Sequence, residues 1–260
     1  MRVDWGEGAP WEQMEPELPV LGIDTSTWMQ AVALISSDGR RFEKRFHAVR
    51  GHTATLLETI DELFKASGHS PGDMALVSVG IGPGSFTGLR IGVAAAKAFC
   101  HSLGLPLVGV NSLEAMANRV PCEFEQVITA TDARKKEVYG AVWGPSGTGE
   151  LSALGRTIVV PSNTFSPEKL VALTGEMTGR RAVAGNGFEV FSAEFEPLLQ
   201  NGWEVLDNTF WWPDAVTVAA LGTREYRLNG AHDLDAFEPC YIRPSEAELT
   251  FRDSARPAKG

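Results

Sequence analysis

The sequence has few cysteines, and none lie in a paired spacing. Its 260 residues include three, Cys100, Cys122 and Cys240, which lie far apart and outside any C-x-x-C pair. Disulfide frameworks and zinc sites use even numbers of cysteines or closely spaced ones. Neither is therefore expected here, and a reducing compartment, the cytoplasm, is the expected location.

Basic charge is also scarce. The chain carries 23 Lys and Arg against 33 Asp and Glu, a net charge of −10 at pH 7. Proteins that bind nucleic acid by themselves neutralise its phosphates with a basic surface. The charge argues against an independent nucleic-acid binder, but it is compatible with RNA held through a basic partner.

Long apolar runs and metal-binding spacings are missing as well. No run of about 18 apolar residues occurs, so no transmembrane helix is expected. The five histidines form neither H-x-x-x-H nor H-E-x-x-H, which argues against a dedicated metal site. Ser85 does not stand in the G-x-S-x-G motif of serine hydrolases. These absences disfavour membrane proteins, zinc hydrolases and serine hydrolases.

The two ends differ from the rest of the chain. Residues 1–19 are acidic, rich in Pro and Gly, and lack the apolar segment of a signal peptide. They are expected to form a flexible extension, with Met14 as an alternative start. Residues 245–260 are expected to form a C-terminal tail.

Between these ends, the apolar pattern predicts an α/β protein with two lobes. Apolar and alternating runs predict strands near 20–24, 30–36, 41–48, 75–81, 107–110, 127–131, 138–143, 157–160 and 181–184. Helical periodicity predicts helices near 53–67, 89–103, 112–118, 167–174 and 216–228. This order is typical of mixed sheets flanked by helices. We expect lobes at 20–120 and 121–244 that share a pattern but no residue-level repeat.

Two loops carry candidate anion-binding groups. The loop Gly82-Pro-Gly-Ser-Phe-Thr-Gly88 joins a buried strand to a helix, whose first N–H groups can bind an anion. It is not a P-loop, because no Gly-Lys-Ser/Thr closes it. The alternative is a tight turn in which glycine avoids steric cost.

The second loop, Asp24-Thr-Ser-Thr27, ends the first strand. It could hold a magnesium-bound phosphate, or it could form an Asx turn that bonds its own backbone. Together the two loops predict a cleft between strand ends. The nucleotide- or anion-binding candidates are Asp24, Thr25, Ser26, Gly82, Gly84, Ser85, Thr87 and Gly88.

Two other clusters have ordinary interpretations. Asp132-Ala-Arg134 indicates an ion pair in a turn, or groups that face a cleft. The aromatic group Trp203, Phe210, Trp211 and Trp212 is typical of packing beneath a loop. A base-stacking platform would normally include basic residues, which this segment lacks.

Several motifs together resemble the TsaB (YeaZ) family. They are Leu21-Gly-Ile-Asp-Thr-Ser-Thr27, Gly82-Pro-Gly-Ser-Phe-Thr-Gly-Leu-Arg-Ile-Gly92 and Gly109-Val-Asn-Ser-Leu113. Weaker matches follow in order: Asp132-Ala-Arg134, Glu137-Val-Tyr139, Gly185-Asn-Gly187 and Pro239-Cys-Tyr-Ile-Arg243. The resemblance covers about residues 20–243, and its 82–92 stretch is highly specific.

The resemblance implies a two-lobed fold of the actin, hexokinase and Hsp70 (ASKHA) type. It also implies a scaffold subunit for transfer of threonylcarbamoyl to adenosine 37 of tRNAs that read ANN codons. Such a subunit binds the catalytic subunit TsaD and, with it, the ATPase TsaE, forms homodimers when alone, and meets tRNA through the complex. No intrinsic cofactor is implied, although ATP or ADP with magnesium could be shared within the complex.

The resemblance assigns no catalytic residue and no metal site to this chain. The related catalytic subunit uses an H-x-x-x-H pair, and the matching positions here are Ser112 and Met116. Neither side chain replaces an imidazole as a ligand for iron or zinc.

The resemblance places the partner interface on the first two predicted helices. Both have what close helix packing requires, although each stripe also faces its own sheet. Leu56 is expected to be exposed there. The interface candidates are Leu56, Leu57, Ile60, Leu63, Phe64, Ile91, Ala95 and Phe99. Two other functions stay open: an independent ATP-dependent phosphotransferase that uses Asp24 and the glycine loop, and a glycopeptidase-like peptidase, which no motif supports.

Overall fold

A computed structural model describes residues 18–47, 53–146, 156–174 and 179–243. The described chain forms strands β1 Val20–Asp24, β2 Met29–Ile35, β3 Arg41–His47, β4 Leu76–Gly82, β5 Leu107–Asn111, β6 Gln126–Arg134, β7 Glu137–Ser146, β8 Arg156–Phe165, β9 Arg181–Ala184 and β10 Trp203–Val205. Its helices are α1 Thr53–Ser67, α2 Phe86–Leu103, α3 Ser112–Arg119, α4 Pro167–Ala172, α5 Gly187–Val190, α6 Ser192–Gln200 and α7 Ala215–Asn229. The expectations for residues 1–17, for Met14 and for the tail lie outside the described residues.

The strands form two sheets with the same topology. The orders are β3-β2-β1-β4-β5 and β10-β9-β6-β7-β8, so β6, β7 and β8 correspond to β1, β2 and β3. In each sheet the first three strands pair antiparallel, and the last two add in parallel. The prediction of a two-lobed α/β fold with mixed sheets is confirmed.

The first hairpin forms where the sequence predicts it. Strand β2 is almost wholly buried, whereas β3 is half-exposed at the edge of its sheet. Gly39 in the turn between them has φ +77°, which glycine adopts without steric cost. Local turn chemistry and alternation therefore set this hairpin.

Helix α3 packs on the second sheet, and helix α7 packs on the first. Helix α3 follows the first sheet, yet Leu113 and Met116 lie in a core with residues of β6, β7 and β9. Helix α7 follows the second sheet, yet Ala215 and Ala219 pack on β1, β2 and β4. A Cβ on Gly22 of β1 would lie 2.2 Å from the Ala215 carbonyl oxygen, so this close crossing requires glycine. Helix α7 therefore joins the C-terminal part of the described chain to the first sheet.

Several elements differ from the prediction. Helix α2 begins at Phe86 rather than near 89, because the Ser85 hydroxyl accepts a hydrogen bond from the Gly88 N–H and caps the helix. Strand β8 continues through Pro161 to Phe165, which an edge strand tolerates. Helix α6 was not predicted, since it has no side-chain cap and contains Pro197.

Among the described residues, no helix is both long enough and apolar enough to cross a membrane.

Candidate functional site

A cleft of about 550 Å³ has residues of both sheets on its walls. Ser26 and Gln30 line it from the first lobe, and Thr131 and Tyr139 line it from the second. The glycine loop after β4 also lines it. The structure thus brings the two predicted loops together beside one cleft.

Asp24 lies at the end of β1 with no exposed surface. Its Oδ1 accepts hydrogen bonds from the Ser26 N–H (2.8 Å) and hydroxyl (2.6 Å), and its Oδ2 accepts one from the Ser112 hydroxyl (2.8 Å). Burial raises the pKa of Asp24, and these donors oppose that rise. The Asx-turn alternative describes this geometry, since the carboxylate faces the protein rather than the cleft. Asp24 does not fit a metal-phosphate role in this arrangement.

The glycine loop packs tightly on the loop that follows β1. A Cβ on Gly84 would lie 2.2 Å from the Ser26 carbonyl oxygen, and one on Gly88 would lie 2.1 Å from that of Thr25. The Ser85 N–H donates to the Ser26 carbonyl (2.6 Å), and the Thr25 hydroxyl donates to the Gly88 carbonyl (2.7 Å). These glycines therefore serve close backbone packing.

The outer side of the same loop is accessible. Ser85 and Thr87 are exposed, and both line the cleft. Gly82 is buried, and its N–H donates to the Ser112 hydroxyl at 3.3 Å. Nucleotide or anion binding by these residues stays a prediction, with Ser85 and Thr87 as the groups that reach the cleft.

Core side chains occupy Ser112 and Met116, the two positions where the resemblance would place a histidine pair in a catalytic subunit. Ser112 is 1% exposed and bridges Asp24 to the glycine loop, and Met116, also 1% exposed, packs in the core of the second lobe. Within the described part of the chain, no group of three His, Cys, Asp or Glu residues could hold a metal ion.

The interface candidates divide between core and surface. Leu56 is fully buried, so the expectation that it is exposed is wrong, and Leu57, 48% exposed, takes that place. A stripe of apolar residues does not by itself show which member turns away from the sheet. Ile60, Leu63, Phe64 and Ala95 are buried, whereas Ile91 and Phe99 are half-buried.

The segment after α7 closes one side of the site, which the sequence did not predict. The Cys240 N–H donates to the Ile81 carbonyl (2.9 Å), and Arg243 pairs with Glu137 of β7 (3.1 Å). The segment therefore spans both lobes. The only sequence signal was its place in the resemblance.

The structure also locates the Asp132-Ala-Arg134 motif and the aromatic group that the sequence analysis described. Arg134 pairs with Asp132 at 3.3 Å and both line the cleft, so both alternatives for this motif hold. Trp203 and Trp212 are buried, as packing predicts, and Trp212 also contacts Trp28 on the cleft wall.

A buried charge network joins β3, α3 and α7 near this cleft. Asp214 pairs with Arg119 and lies 3.8 Å from Arg45, whose Nε contacts Glu43 at 2.8 Å. The Glu43 carboxylate also accepts a hydrogen bond from the Ala215 N–H (2.9 Å). Burial, with the Asp214 charge, raises the pKa of Glu43 to about 7.

Solved structures show the same fold. YeaZ from Pseudomonas aeruginosa superposes with a TM-score of 0.73 and 24% identity, covering 86% of this chain and 99% of that one. A second structure, described as an uncharacterized protein with similarity to peptidase YEAZ from the same organism, gives 0.74, with 87% and 100% covered. At this identity the likeness concerns the fold alone.

Comparison with related sequences identifies the family. The profile described as TsaD, tRNA N6-adenosine threonylcarbamoyltransferase, matches residues 46–195. The tRNA threonylcarbamoyladenosine biosynthesis protein TsaB of Escherichia coli is 28% identical, over 88% of this chain and 96% of that protein. The protein of the same name from Haemophilus influenzae is 37% identical, over 47% of this chain and 52% of its own length. The TsaB protein of Bacillus subtilis is 32% identical, over 92% of this chain and all of its own length. With its motifs, fold and full-length relatives in agreement, this chain belongs to the TsaB (YeaZ) family.

Proposed function

We propose that this chain is a non-catalytic, activating subunit in the biosynthesis of tRNA threonylcarbamoyladenosine. It supports transfer of the threonylcarbamoyl group to adenosine 37 of tRNAs that read ANN codons by binding TsaD and, with it, TsaE. The observation that carries the proposal is the filled core at Ser112 and Met116, where a metal-dependent catalyst would need ligands. The assignment to this process comes from the relatives, whose names give threonylcarbamoyladenosine biosynthesis.

The outer face of α1 and α2 is the proposed surface for TsaD, or for a second copy of the chain. Leu57 on α1 is 48% exposed, and Ala94 and Ala98 on α2 are exposed. Small residues let a partner helix approach closely, and Leu57 supplies apolar area to bury. Phe64 and Phe99 already join the two helices at a centroid distance of 6.5 Å, so the face is held as one unit.

Replacing Leu57 or Ala94 by glutamate is expected to weaken TsaD binding at least about tenfold, because a charge would be buried at the contact. Leu199→Glu is the matched control, since Leu199 is 42% exposed on α6 of the other lobe and should leave binding unchanged. Titration calorimetry measures the affinity, and circular dichroism checks the fold. Unchanged affinity in both variants would place the interface elsewhere.

Reconstitution tests the proposed function directly. Matched TsaD, TsaE, the adenylate-forming enzyme and tRNA are combined with the intact chain, with no chain, or with Asp24→Asn. We expect product to disappear without the chain and to persist with Asp24→Asn, which keeps the size of the buried side chain. Full activity without the chain would contradict the proposal. Turnover of magnesium-ATP by the chain alone would favour the phosphotransferase alternative.

A further inference from the structure

One wall of the cleft carries a tryptophan held in place by other rings. Trp28, in the turn between β1 and β2, is 49% exposed and lines the cleft. Its ring stacks on His47 with centroids 4.7 Å apart, and Trp212 meets it edge-on at 4.8 Å. An exposed ring positioned this way loses little side-chain entropy when a flat ligand stacks on it.

The hairpin between β6 and β7 brings basic residues to the same cleft. Arg134, Lys135 and Lys136 are all exposed, and Arg134 lines the cleft. All three have positive φ, at 65°, 55° and 62°. Left-handed backbone costs roughly 1 kcal/mol or more for a residue with a side chain, and such strain concentrates at functional sites. Positive φ at Lys135 and Lys136 is what a two-residue type I′ hairpin turn requires, and the register shift between Asp132 and Arg134 marks a bulge there. The tip therefore has a defined shape that presents three basic side chains to solvent.

Further cations surround the cleft. Arg243 lines it and pairs with Glu137, as Arg134 pairs with Asp132. Arg90 lies 4.0 Å above the ring of Phe86, a cleft residue, and its Nε donates to the Tyr241 hydroxyl at 3.0 Å. Arg134, Arg243 and one carboxylate, Asp132, line the cleft, and Arg90 contacts two lining residues, so basic groups outnumber acidic ones here although the chain has a net charge of −10. The basic residues near Trp28 therefore come from elements that are far from it in the sequence.

We infer that this cleft binds an unpaired nucleotide of an RNA strand, with its base against Trp28 and flanking phosphates on Arg134–Lys136. Stacking on an aromatic ring beside a basic groove is how single-stranded nucleic acid is held without sequence readout. The cations continue along the hairpin tip, which fits successive phosphates of a strand better than one free nucleotide. The inference rests on the proposed function, which supplies tRNA as the RNA.

The test uses the chain in its reconstituted assembly with a tRNA that reads ANN codons. Trp28→Ala is expected to raise the KM for tRNA about tenfold with little change in kcat, and Trp28→Phe should restore most of the loss. Lys135→Ala/Lys136→Ala should raise the KM and lower the salt dependence of tRNA binding by one to two units of log–log slope, roughly what two lost phosphate contacts remove. The matched control is Arg40→Ala/Lys169→Ala, which removes two exposed cations elsewhere.

The outcomes separate this inference from the function on which it rests. If product forms without the chain, the proposed function fails. If the chain is required but the Trp28 and lysine variants match the control, the inference is overturned while the function stands. A binding assay with ATP and AMP adds a second arm. If Trp28→Ala abolishes nucleotide binding but leaves tRNA affinity unchanged, the occupant is a free nucleotide and the RNA assignment is wrong.

Discussion

Replacing Asp214 by alanine is expected to lower the free energy of unfolding by about 3 to 5 kcal/mol. The side chain is fully buried and pairs with Arg119, which is itself only 10% exposed. Removing Asp214 leaves two arginines, Arg119 and Arg45, with the single carboxylate of Glu43 in a poorly solvated place. The variant also loses the cap of α7, where Asp214 accepts a hydrogen bond from the Thr217 N–H.

Urea unfolding monitored by circular dichroism measures this effect. Asp61→Ala is the control, because Asp61 is exposed on α1 and pairs with Lys65 at the surface, where such pairs contribute little. Asp214→Asn keeps an oxygen for the cap but removes the charge, so it separates the two contributions. If Asp214→Ala lowers the free energy of unfolding by less than about 1 kcal/mol, the buried charge network contributes little to stability.

Replacing Arg156 by methionine is expected to cost a similar amount, about 3 to 5 kcal/mol. Its buried guanidinium donates to carbonyl oxygens at and after the end of α3. They belong to Ala117 (2.9 Å), Phe124 (2.7 Å), Val120 (3.0 Å) and Pro121 (3.0 Å). Methionine fills much of the space but removes the donor to the Val120 and Phe124 carbonyls. The Ala117 and Pro121 carbonyls still accept from the backbone N–H groups of Val120 (3.2 Å) and Phe124 (3.1 Å). Burial lowers the pKa of Arg156 to about 10, so the cation persists at neutral pH.

The matched variants are Arg156→Lys and Arg40→Met. Lysine keeps the charge, which favours a helix C-terminus, but it has three donors in place of the planar fork, so an intermediate loss is expected. Arg40 is exposed on the first hairpin, and its substitution should leave the urea midpoint nearly unchanged. Wild-type stability in Arg156→Met would mean that water satisfies these carbonyl groups.

Elements with a local signal were predictable. The first hairpin follows from Gly39 and from strand alternation, and α1 follows from its apolar period. Local sequence signals failed where an element contains a proline, a residue that usually ends a strand or a helix. Pro161 lies inside β8, and Pro197 lies inside α6. They also failed to orient α1, since Leu56 and Leu57 are adjacent and equally apolar, and only the position of the sheet buries the first.

The candidate site was predictable in part. The sequence identified both loops beside the cleft and the absence of ligands at Ser112 and Met116, because consecutive residues carry those motifs. It did not show that Asp24 turns into the protein, since the donor on its second oxygen comes from Ser112, 88 residues away. The division into lobes at 20–120 and 121–244 stays a prediction.

The sequence by itself determined the family, the α/β class and the positions of most strands along the chain, because these depend on short motifs and local periodicity. Only the tertiary structure decided that α3 packs on the second sheet and α7 on the first, and that Trp28 shares a cleft with Arg134 and Arg243. Contacts between distant residues follow from how the sheets pack, and packing leaves no periodic trace along the chain.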